Sequence, residues 1–307
     1  MNVFEWTKKK EQYVLDAKKS GHTYAEIADE IGTTPLSVRS KYRKLQKKLL
    51  KDQHPKIGFA ANQTHRRPKD TRPDPILPFE LELDECLVAS DFHVPGESEE
   101  AVNQLIHYAI KNKIKHLIIA GDFWHQDAVS RWALKDPNMT LADEIERGIK
   151  LITRLSRYMS LYFVQGNHDT RLCSAINFSL SFSSWMRSLV GNKFNKTVFV
   201  TDFDYMFLKS NHTTFRICHP QLYSRIKTSQ ASALAHDLHE NIIMGHQHFF
   251  SMTTNKTGEY ICIDSGCMCD IKRFLYKNAT TTRCPEWENG FIHVKGGKVK
   301  PICWYTF

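Results

Sequence analysis

Short apolar runs alternate with amphipathic stretches along the chain beyond residue 85. The apolar segment "ECLVAS" (85–90) is followed by a helical pattern in "SEEAVNQLIHYAIKNK" (98–113) and then by "KHLIIAG" (115–121). The second apolar run begins about thirty residues after the first, which is typical of a strand–helix–strand unit. A further helical pattern across 140–159 leads to the apolar run "LYFV" (161–164). This periodicity predicts an α/β domain.

Polar residues gather directly after the predicted strands. In open α/β sheets, ligands bind outside the carboxyl ends of the strands. A desolvated donor or acceptor costs about 1 to 3 kcal/mol when it is left unsatisfied, so these loops should pair with one another or bind a ligand. The clusters are "SDFHVP" (90–95), "AGDFW" (120–124), "QGNHDTR" (165–171), "ICHP" (217–220) and "MGHQH" (244–248).

Three helical patterns at the start of the chain predict a small all-α domain over residues 1–50. The first covers 8–19, and the second begins at Thr23, where Glu26 completes a capping box, and ends at Gly32. The third, across 36–50, alternates apolar residues with lysines and arginines. This arrangement resembles a helix-turn-helix domain, in which the third segment would be the recognition helix in the major groove of DNA. A small three-helix docking module with a solvated basic face is the alternative.

The segment 51–80 separates this domain from the rest of the chain. It contains five prolines and no sustained periodicity, which is typical of an extended, flexible linker. The remaining residues, 81–307, form the second predicted domain. With 307 residues, of which 41% are hydrophobic, the chain can form one large domain and a small second one.

The positive charge of the chain is distributed unevenly. Residues 1–73 hold 17 lysines and arginines against 8 acidic residues, a difference of +9, whereas residues 74–307 hold 25 of each. The whole net charge of +9 therefore comes from the N-terminal quarter. We expect that segment to be the part attracted to a polyanion such as DNA.

Neither a membrane span nor a disulfide scaffold is predicted. No run of about 18 apolar residues occurs, and the start "MNVFEWTKKKEQ" lacks the apolar stretch of a signal peptide. Eight scattered cysteines are too few for a secreted disulfide scaffold, so we expect a cytoplasmic protein with free thiols. Four of them cluster late in the chain and form either a structural zinc site or small buried thiols: Cys262, Cys267, Cys269 and Cys284.

Together, the five polar clusters resemble the calcineurin-like metallophosphoesterase family. Its ordered motifs are DxH, GD, GNH(D/E), a histidine and GHxH, and the match covers residues 86–266 and then loosely the rest of the chain. The resemblance implies a two-sheet αββα sandwich that hydrolyses phosphoesters. The architecture with an N-terminal helical domain is similar to phage and prophage phosphoesterases, which suggests the cytoplasm of a bacterial cell or phage-infected host.

The resemblance also implies two divalent metal ions. Such a pair can clamp the attacking and leaving oxygens of a phosphoester and generate a hydroxide at neutral pH. Manganese is the expected metal, and Fe, Zn, Ni and Mg are the alternatives. The implied ligands are Asp91, His93 and His248 for the first ion, Asn167, His219 and His246 for the second, and Asp122 as a bridge between them.

Three further residues in "QGNHDTR" receive catalytic roles from the resemblance. His168 would protonate the leaving oxygen, and Asp169 would orient that imidazole and favour its charged form. Arg171 would bind a nonbridging phosphate oxygen or form a structural salt bridge. His125 and Asp127 lie close enough in sequence to line the cleft, although the start of a helix there explains them equally well.

Two departures from the family pattern affect these expectations. Pro220 stands where the family usually has glycine, which makes the neighbouring ligand His219 less certain. The second motif, "GDFWHQD", lacks the form GDxVDRG of the protein serine/threonine phosphatases, which weighs against a phosphoprotein substrate.

The leading hypothesis is a DNA-directed nuclease or phosphodiesterase that a basic N-terminal domain brings to its substrate. A phosphomonoesterase or cyclic-nucleotide phosphodiesterase is the alternative enzyme. Two alternatives are not enzymes: a DNA-binding regulator with an inactive phosphoesterase fold, and an interaction scaffold. DNA binding that falls steeply with salt would argue against the scaffold.

Overall fold

A computed structural model describes residues 4, 6–53, 78–130, 140–278 and 286–303, with the backbone alone for 46–53 and 275–278. It divides the chain into two compact units, Met1–Asp74 and Pro75–Phe307.

The N-terminal unit contains three helices, α1 (Lys8–Lys19), α2 (Tyr24–Ile31) and α3 (Pro35–Gln53). The capping box at the start of α2 is present: Thr23 Oγ1 accepts from the Glu26 amide at 3.2 Å, and Glu26 Oε2 accepts from the Thr23 amide at 2.7 Å. The helices enclose a small apolar core of Val14, Ala17, Ile27, Ala28 and Val38. The predicted all-α domain is confirmed.

The larger unit contains twelve strands within the described residues. In chain order they are β1 (Glu80–Glu82), β2 (Glu85–Ala89), β3 (His116–Ala120), β4 (Ser160–Val164), β5 (Val198–Val200), β6 (Tyr205–Ser210), β7 (Thr213–Cys218), β8 (Asn241–Met244), β9 (Phe250–Thr254), β10 (Ile261–Ser265), β11 (Gly290–Lys295) and β12 (Lys298–Cys303).

These strands form two six-stranded sheets. One sheet has the order β1-β6-β7-β8-β10-β9, and the other has the order β12-β11-β2-β3-β4-β5. The strands β2 to β5 are parallel, with Leu87 opposite Leu117 and Ile118 opposite Tyr162, whereas β11 is antiparallel to β2. In the other sheet, β7, β8 and β10 are parallel.

Helices and short 3-10 helices connect the strands of this unit. The helices are α4 (Glu99–Asn112), α5 (Leu141–Leu155), α6 (Arg171–Ala175), α7 (Phe182–Val190), α8 (Ser229–Leu238) and α9 (Ile271–Asn278), and the 3-10 helices are Asp127–Val129 and Gly191–Lys193.

Alternating side chains of the central strands build a four-layer core. On β3, Leu117 and Ile119 pack with the helices α4 and α5, while Ile118 and Ala120 pack against the opposite sheet. Because both faces of β3 are buried, its sequence is a continuous apolar run. Helix α8 covers the outer face of the other sheet through Ala231 and Ala235. The predicted two-sheet αββα sandwich is confirmed.

Most of the predicted linker 51–80 lies outside the described residues, since 54–77 are not described. Its two described ends belong to secondary structure. Helix α3 continues to Gln53, and β1 begins at Glu80 and pairs in parallel with β6. A three-residue edge strand beside Pro78 is too short to give a periodic pattern.

Within the described parts of the chain, none of the helices has the length and apolar character that crossing a membrane requires.

Candidate metal centre

The C-terminal ends of parallel strands from both sheets meet at one edge of the sandwich. From one sheet, Asp91, Asp122 and Asn167 follow β2, β3 and β4. From the other sheet, His219 follows β7 and His246 follows β8. The polar clusters that the sequence places after separate strands therefore lie together in space.

Asp91, His93 and His248 form the first group of candidate ligands. Their ligand atoms lie within 4.8 Å of one another, and all three residues are buried. Nε2 of His248 lies 3.0 Å from Oδ1 of Asp91 and 3.0 Å from Nε2 of His93. The structure thus brings together the three residues predicted for the first ion.

Asp122, His219 and His246 form the second group, again with ligand atoms within 4.8 Å of one another. Oδ1 of Asn167 lies 3.2 Å from Nε2 of His219, so the predicted fourth ligand borders this group. Nδ1 of His219 lies 2.8 Å from the Ala120 carbonyl and donates to it, which directs Nε2 into the centre. Pro220, the departure from the family pattern, does not remove His219 from the site.

The Asp122 carboxylate lies between the two groups. Oδ1 accepts a hydrogen bond from the His168 amide at 2.8 Å. Oδ2 lies 3.2 Å from Nε2 of His219 and 3.9 Å from Nε2 of His93. This position is the one that a bridging ligand requires, and the bridging role remains a prediction.

Five of the candidate ligand residues have left-handed backbone conformations. Such conformations cost about 1 to 3 kcal/mol each for residues other than glycine, and they persist only where the surrounding structure enforces them. Strain concentrated in this way is typical of binding and catalytic sites. The φ angles are +55° at Asp91, +49° at His93, +51° at Asp122, +82° at His246 and +61° at His248.

Hydrogen bonds and glycines hold these loops in place. The His93 amide donates to the Asp122 carbonyl at 3.0 Å, and the His246 amide donates to Oδ2 of Asp91 at 2.9 Å. A Cβ atom at Gly166 would collide with the amide nitrogen and Oδ1 of Asp122. A Cβ atom at Gly121, whose φ is +81°, would collide with the His219 ring. The glycines of the second and third motifs therefore permit the close approach of the loops.

The electrostatics of the centre favour bound cations. Burial disfavours charge on Asp122, but the positive charge of His219 outweighs burial and holds the pKa of Asp122 below its ordinary value. Burial also opposes a charge on His219, yet the Asp122 carboxylate raises the pKa of His219 to about 10. Burial, followed by the charge of His219, lowers the pKa of His246 to about 4. The ionised Asp122 and the neutral His246 are in the forms that bind metal, whereas His219 must release its proton when a metal ion binds.

The donor atoms fit divalent metal ions. Oδ1 of Asp91 is buried and has no assigned hydrogen-bond partner, although Nε2 of His248 lies 3.0 Å from it. A buried carboxylate oxygen without a hydrogen bond is costly unless a ligand satisfies it. Imidazole nitrogens, carboxylate oxygens and one amide oxygen form a donor set that suits first-row divalent metals such as Mn, Fe or Zn.

The comparison with family models decides the identity of the fold. Residues 86–278 match the family model described as calcineurin-like phosphoesterase, which is more than half of the chain. The chain belongs to the calcineurin-like phosphoesterase family. As a member, it is a metal-dependent phosphoesterase, and the family typically binds two divalent metals. None of the curated protein sequences matches it.

Several solved structures are similar to the chain. The phosphoesterase Yfce from E. coli has a TM-score of 0.41 and 13% identity, over 71% of this chain and 92% of that one. An archaeal phosphodiesterase has a TM-score of 0.40 and 14% identity, over 72% of this chain and 99% of that one. Vacuolar Protein Sorting 29 from Cryptosporidium parvum has a TM-score of 0.35 and 12% identity, over 72% of this chain and 96% of that one.

His168 lies beside this phosphoesterase centre, but its hydrogen bonds differ from the prediction. Its Nδ1 lies 3.1 Å from the His125 carbonyl and donates to it, so Nε2 accepts from Nη2 of Arg171 at 2.9 Å. Burial, with the charges of His93 and Arg171, holds the pKa of His168 well below its ordinary value. The imidazole is therefore neutral in this arrangement, and its Nε2 offers no proton to the site.

Asp169 does not orient His168, which corrects the sequence prediction. Its Oδ1 accepts from the Trp124 amide at 2.9 Å, and its Oδ2 accepts from the Gly166 amide at 2.8 Å. Burial, together with the nearby Asp122, raises the pKa of Asp169 to about 7, so the side chain does not favour an imidazolium. Asp169 instead ties the loop after β3 to the loop after β4.

Arg171 lies beside the centre without a salt bridge to a described carboxylate. Its Nη1 donates to the His125 carbonyl at 2.8 Å, and its Nη2 donates to Nε2 of His168. Among the described residues Arg171 therefore forms hydrogen bonds and no salt bridge, and its phosphate contact stays a prediction. The carbonyl of His125, a residue that the sequence places near the cleft, accepts hydrogen bonds from the side chains of His168 and Arg171. Nδ1 of His125 lies 3.3 Å from Nδ1 of His93.

Gln126 and Glu144 are supporting residues that the sequence does not reveal. Gln126 is buried, and its side-chain amide bonds to the Asp169 carbonyl at 3.1 Å and to the Leu172 amide at 2.6 Å. Glu144 accepts from the Gln126 amide at 2.7 Å, and burial raises the pKa of Glu144 to about 7. These bonds fix the loop that carries His125, and no sequence motif marks them.

The late cysteines do not form the four-cysteine site considered from the sequence. Cys262 is buried against α8, apart from the others, and Cys284 lies outside the described residues. Cys267 and Cys269 are buried beside His248, with ligand atoms within 4.8 Å of one another. The three described cysteines are buried and form no disulfide, and a zinc site that includes Cys267 and Cys269 stays a prediction.

Proposed function

We propose that this phosphoesterase is a dinuclear-metal phosphodiesterase that cleaves DNA. The observation that carries the proposal is the pair of facing ligand groups, Asp91, His93 and His248 against Asp122, His219 and His246, with Asp122 between them. A catalytically dead relative would be expected to lose some of these ligands, and this chain has a suitable residue at each position.

The proposed metals, with manganese as the expected ion, would supply electrostatic stabilisation of the transferring phosphoryl group and activation of water at neutral pH. The protein residues bind and orient the substrate around them. Asn167 and the residues of the two groups lie directly after the ends of rigid strands. Their ligand atoms are therefore already in place, which limits the reorganisation needed during the reaction.

Arg171 is the proposed contact for a nonbridging phosphate oxygen. In this structure its Nη2 donates to His168, and a phosphate placed at the centre can take over that hydrogen bond, since charged acceptors form stronger bonds with guanidinium groups. Nε2 of His168 is then released from Arg171. A phosphate beside His168 also favours its protonated form, as a general acid for the leaving oxygen requires.

The N-terminal unit is the proposed DNA-binding part of the protein. Arg39, Arg43 and Lys44 are exposed on α3, together with Ser40. Lys41 is held differently, because its Nζ pairs with Oε1 of Glu11 at 2.6 Å. An exposed basic helix surface and a charge excess of +9 within residues 1–73 support binding to the phosphate backbone.

A substrate panel tests the proposal. Metal-depleted protein is supplemented with Mn²⁺ and assayed on bis-p-nitrophenyl phosphate, p-nitrophenyl phosphate, and single- and double-stranded DNA. We expect hydrolysis of the diester and cleavage of DNA, both dependent on the metal. Preferential hydrolysis of the monoester without DNA cleavage would instead identify a phosphomonoesterase. Absence of activity on all four substrates would contradict the enzyme proposal.

A further inference from the structure

A cavity adjoins the metal centre on the side of α6. It has a volume of about 520 Å³, and its lining includes Asn167, Arg171, Asn177, Phe178 and Gln221. Small-molecule sites usually have volumes of about 300 to 1,000 Å³. Because Asn167 and Arg171 belong to both the centre and the cavity, a group attached to a phosphate at the centre can extend into it.

Exposed apolar side chains concentrate in or next to two segments that contribute to this cavity. Of the ten large apolar residues exposed in the described chain, five lie in two short segments, 176–178 and 222–226. Phe178 is 66% exposed and lines the cavity itself, and Tyr223 is 55% exposed. Gln221, next to the second segment, lines the cavity as well. Clustered apolar exposure of this kind marks interaction sites.

The backbone around Phe178 is held in an unusual conformation. Asn177 and Phe178 both have φ of +54°, a left-handed conformation that is rare for a bulky residue such as phenylalanine. The Phe178 amide donates to the carbonyl of the buried Cys173 at 2.7 Å, which ties the segment to α6. None of the aromatic contacts among the described residues involves the Phe178 ring. The Phe178 ring thus lies exposed at the cavity and not in the core.

The polar groups of the cavity indicate what kind of ligand would bind beside this ring. Asn177 and Gln221 are exposed at the cavity, and within the described chain their side-chain amides form no hydrogen bond, so they are free to bind a ligand. Amides can donate and accept at once, as the edges of nucleobases require, and aromatic rings stack on the faces of bases. A general apolar protein partner would leave these amides unsatisfied.

We propose that this cavity binds the nucleobase of the nucleotide at the scissile phosphate, with Phe178 as its stacking residue. The inference rests on the proposed phosphodiesterase function and narrows its substrate to base-bearing phosphodiesters. Stacking does not depend on the identity of the base, so the site selects nucleotides without selecting a sequence. Asn177 and Gln221 bind the edge of the base.

The test compares a nucleotide with a sugar phosphate that has a hydroxyl group in place of the base. Thymidine 5′-monophosphate and 2-deoxyribose 5-phosphate are titrated calorimetrically into full-length protein loaded with Mn²⁺. The variants are Phe178→Ala, Phe178→Trp and a control, Tyr158→Ala, which truncates an aromatic side chain that is 40% exposed outside the cavity.

We expect Phe178→Ala to weaken thymidine monophosphate binding by about 5- to 150-fold, the range for loss of one stacked base. Binding of deoxyribose phosphate should change by less than about two-fold, because it lacks the stacking group. Phe178→Trp should retain the preference for the base, and Tyr158→Ala should resemble the wild type. Equal losses on both ligands, or no loss on either, would overturn the proposal.

Failure of the proposed function is distinguishable from failure of this inference. If the protein binds thymidine monophosphate through Phe178 but cleaves neither bis-p-nitrophenyl phosphate nor DNA, the enzyme proposal is refuted and the base-binding site is supported. A protein that cleaves bis-p-nitrophenyl phosphate and shows no preference for the base-bearing ligand would refute the base site alone.

Discussion

The two units of this protein present their functional side chains in different ways. In the larger unit, seven candidate ligands come from five loops at one edge of the two packed sheets. Five of these seven residues have left-handed backbone conformations. In the N-terminal unit, the basic side chains Arg39, Arg43 and Lys44 lie exposed along a single helix. The first arrangement depends on geometry fixed by the fold, whereas the second depends on charge distributed over a surface.

This difference predicts how each unit should respond to substitution. A residue fixed between two ligand groups should be nearly irreplaceable, because its neighbours cannot move to compensate. An exposed charge on a helix should contribute a small and nearly additive part of binding.

The largest effect is expected for Asp122→Asn. Loss of the carboxylate charge between the two groups should abolish hydrolysis of bis-p-nitrophenyl phosphate and lower the metal content, since even residues that only support a ligand contribute about 10- to 100-fold. Elemental analysis and a diester assay measure both effects. Asp237→Asn, on the exposed surface of α8, is the matched control. Wild-type turnover in Asp122→Asn would remove this residue from the site.

Asn167→Ala and His168→Ala should fail in different ways although the two residues are adjacent. His168→Ala should keep both metals and lose about 10²- to 10⁴-fold in activity on DNA, whose leaving group needs a proton. Its activity on nitrophenyl esters should survive better, because p-nitrophenolate leaves without protonation.

Asn167→Ala should lose metal from the second group and lose both activities together. Metal analysis and parallel assays on DNA and bis-p-nitrophenyl phosphate distinguish the variants. If both variants had the same metal content and the same losses of activity, Asn167 and His168 would not have the separate roles of metal ligand and proton donor.

Deletion of residues 1–73 tests whether hydrolysis and DNA binding belong to different units. Hydrolysis of bis-p-nitrophenyl phosphate should remain nearly intact, because the metal centre lies within Pro75–Phe307. DNA binding at low salt should weaken by at least about tenfold, because the excess positive charge is removed. Fluorescence anisotropy and the diester assay measure these two effects. A folded truncated protein without diesterase activity would contradict the independence of the larger unit.

The smallest effect is expected for Arg43→Ala, one exposed charge on α3. DNA affinity should fall modestly for all sequences, and the slope of log K against log salt should decrease by about 1. Lys256→Ala, which removes one exposed charge from the larger unit, should leave the slope unchanged. Equal changes in the two variants would mean that α3 is not the DNA-binding surface.

The sequence predicts the fold and the composition of the centre well, because both depend on patterns along the chain. The apolar runs around Ile118 and Phe163 are continuous because both faces of those strands are buried, and each is followed by a polar loop. Parallel strands deliver such loops to the same edge, so Asp91, Asp122 and Asn167 lie together.

What the sequence does not predict depends on which partner each polar group selects in three dimensions. Asp169 lies next to His168 in sequence, yet two backbone amides occupy both of its carboxylate oxygens. Gln126 joins two loops through contacts with residues more than forty positions away. The hydrogen-bond partners of Asp169 and Gln126 do not follow from the spacing of residues along the sequence, since many arrangements would satisfy the same side chains.

We propose that these side chains hold two metal ions, both of which the reaction requires. The most direct measurement is a titration of metal-depleted, full-length protein with Mn²⁺ while hydrolysis of bis-p-nitrophenyl phosphate is followed. We expect activity that rises from near zero and reaches its maximum at about two equivalents of metal per chain, because there are two ligand groups. Full activity of the metal-depleted protein, or a maximum at one equivalent, would contradict this proposal.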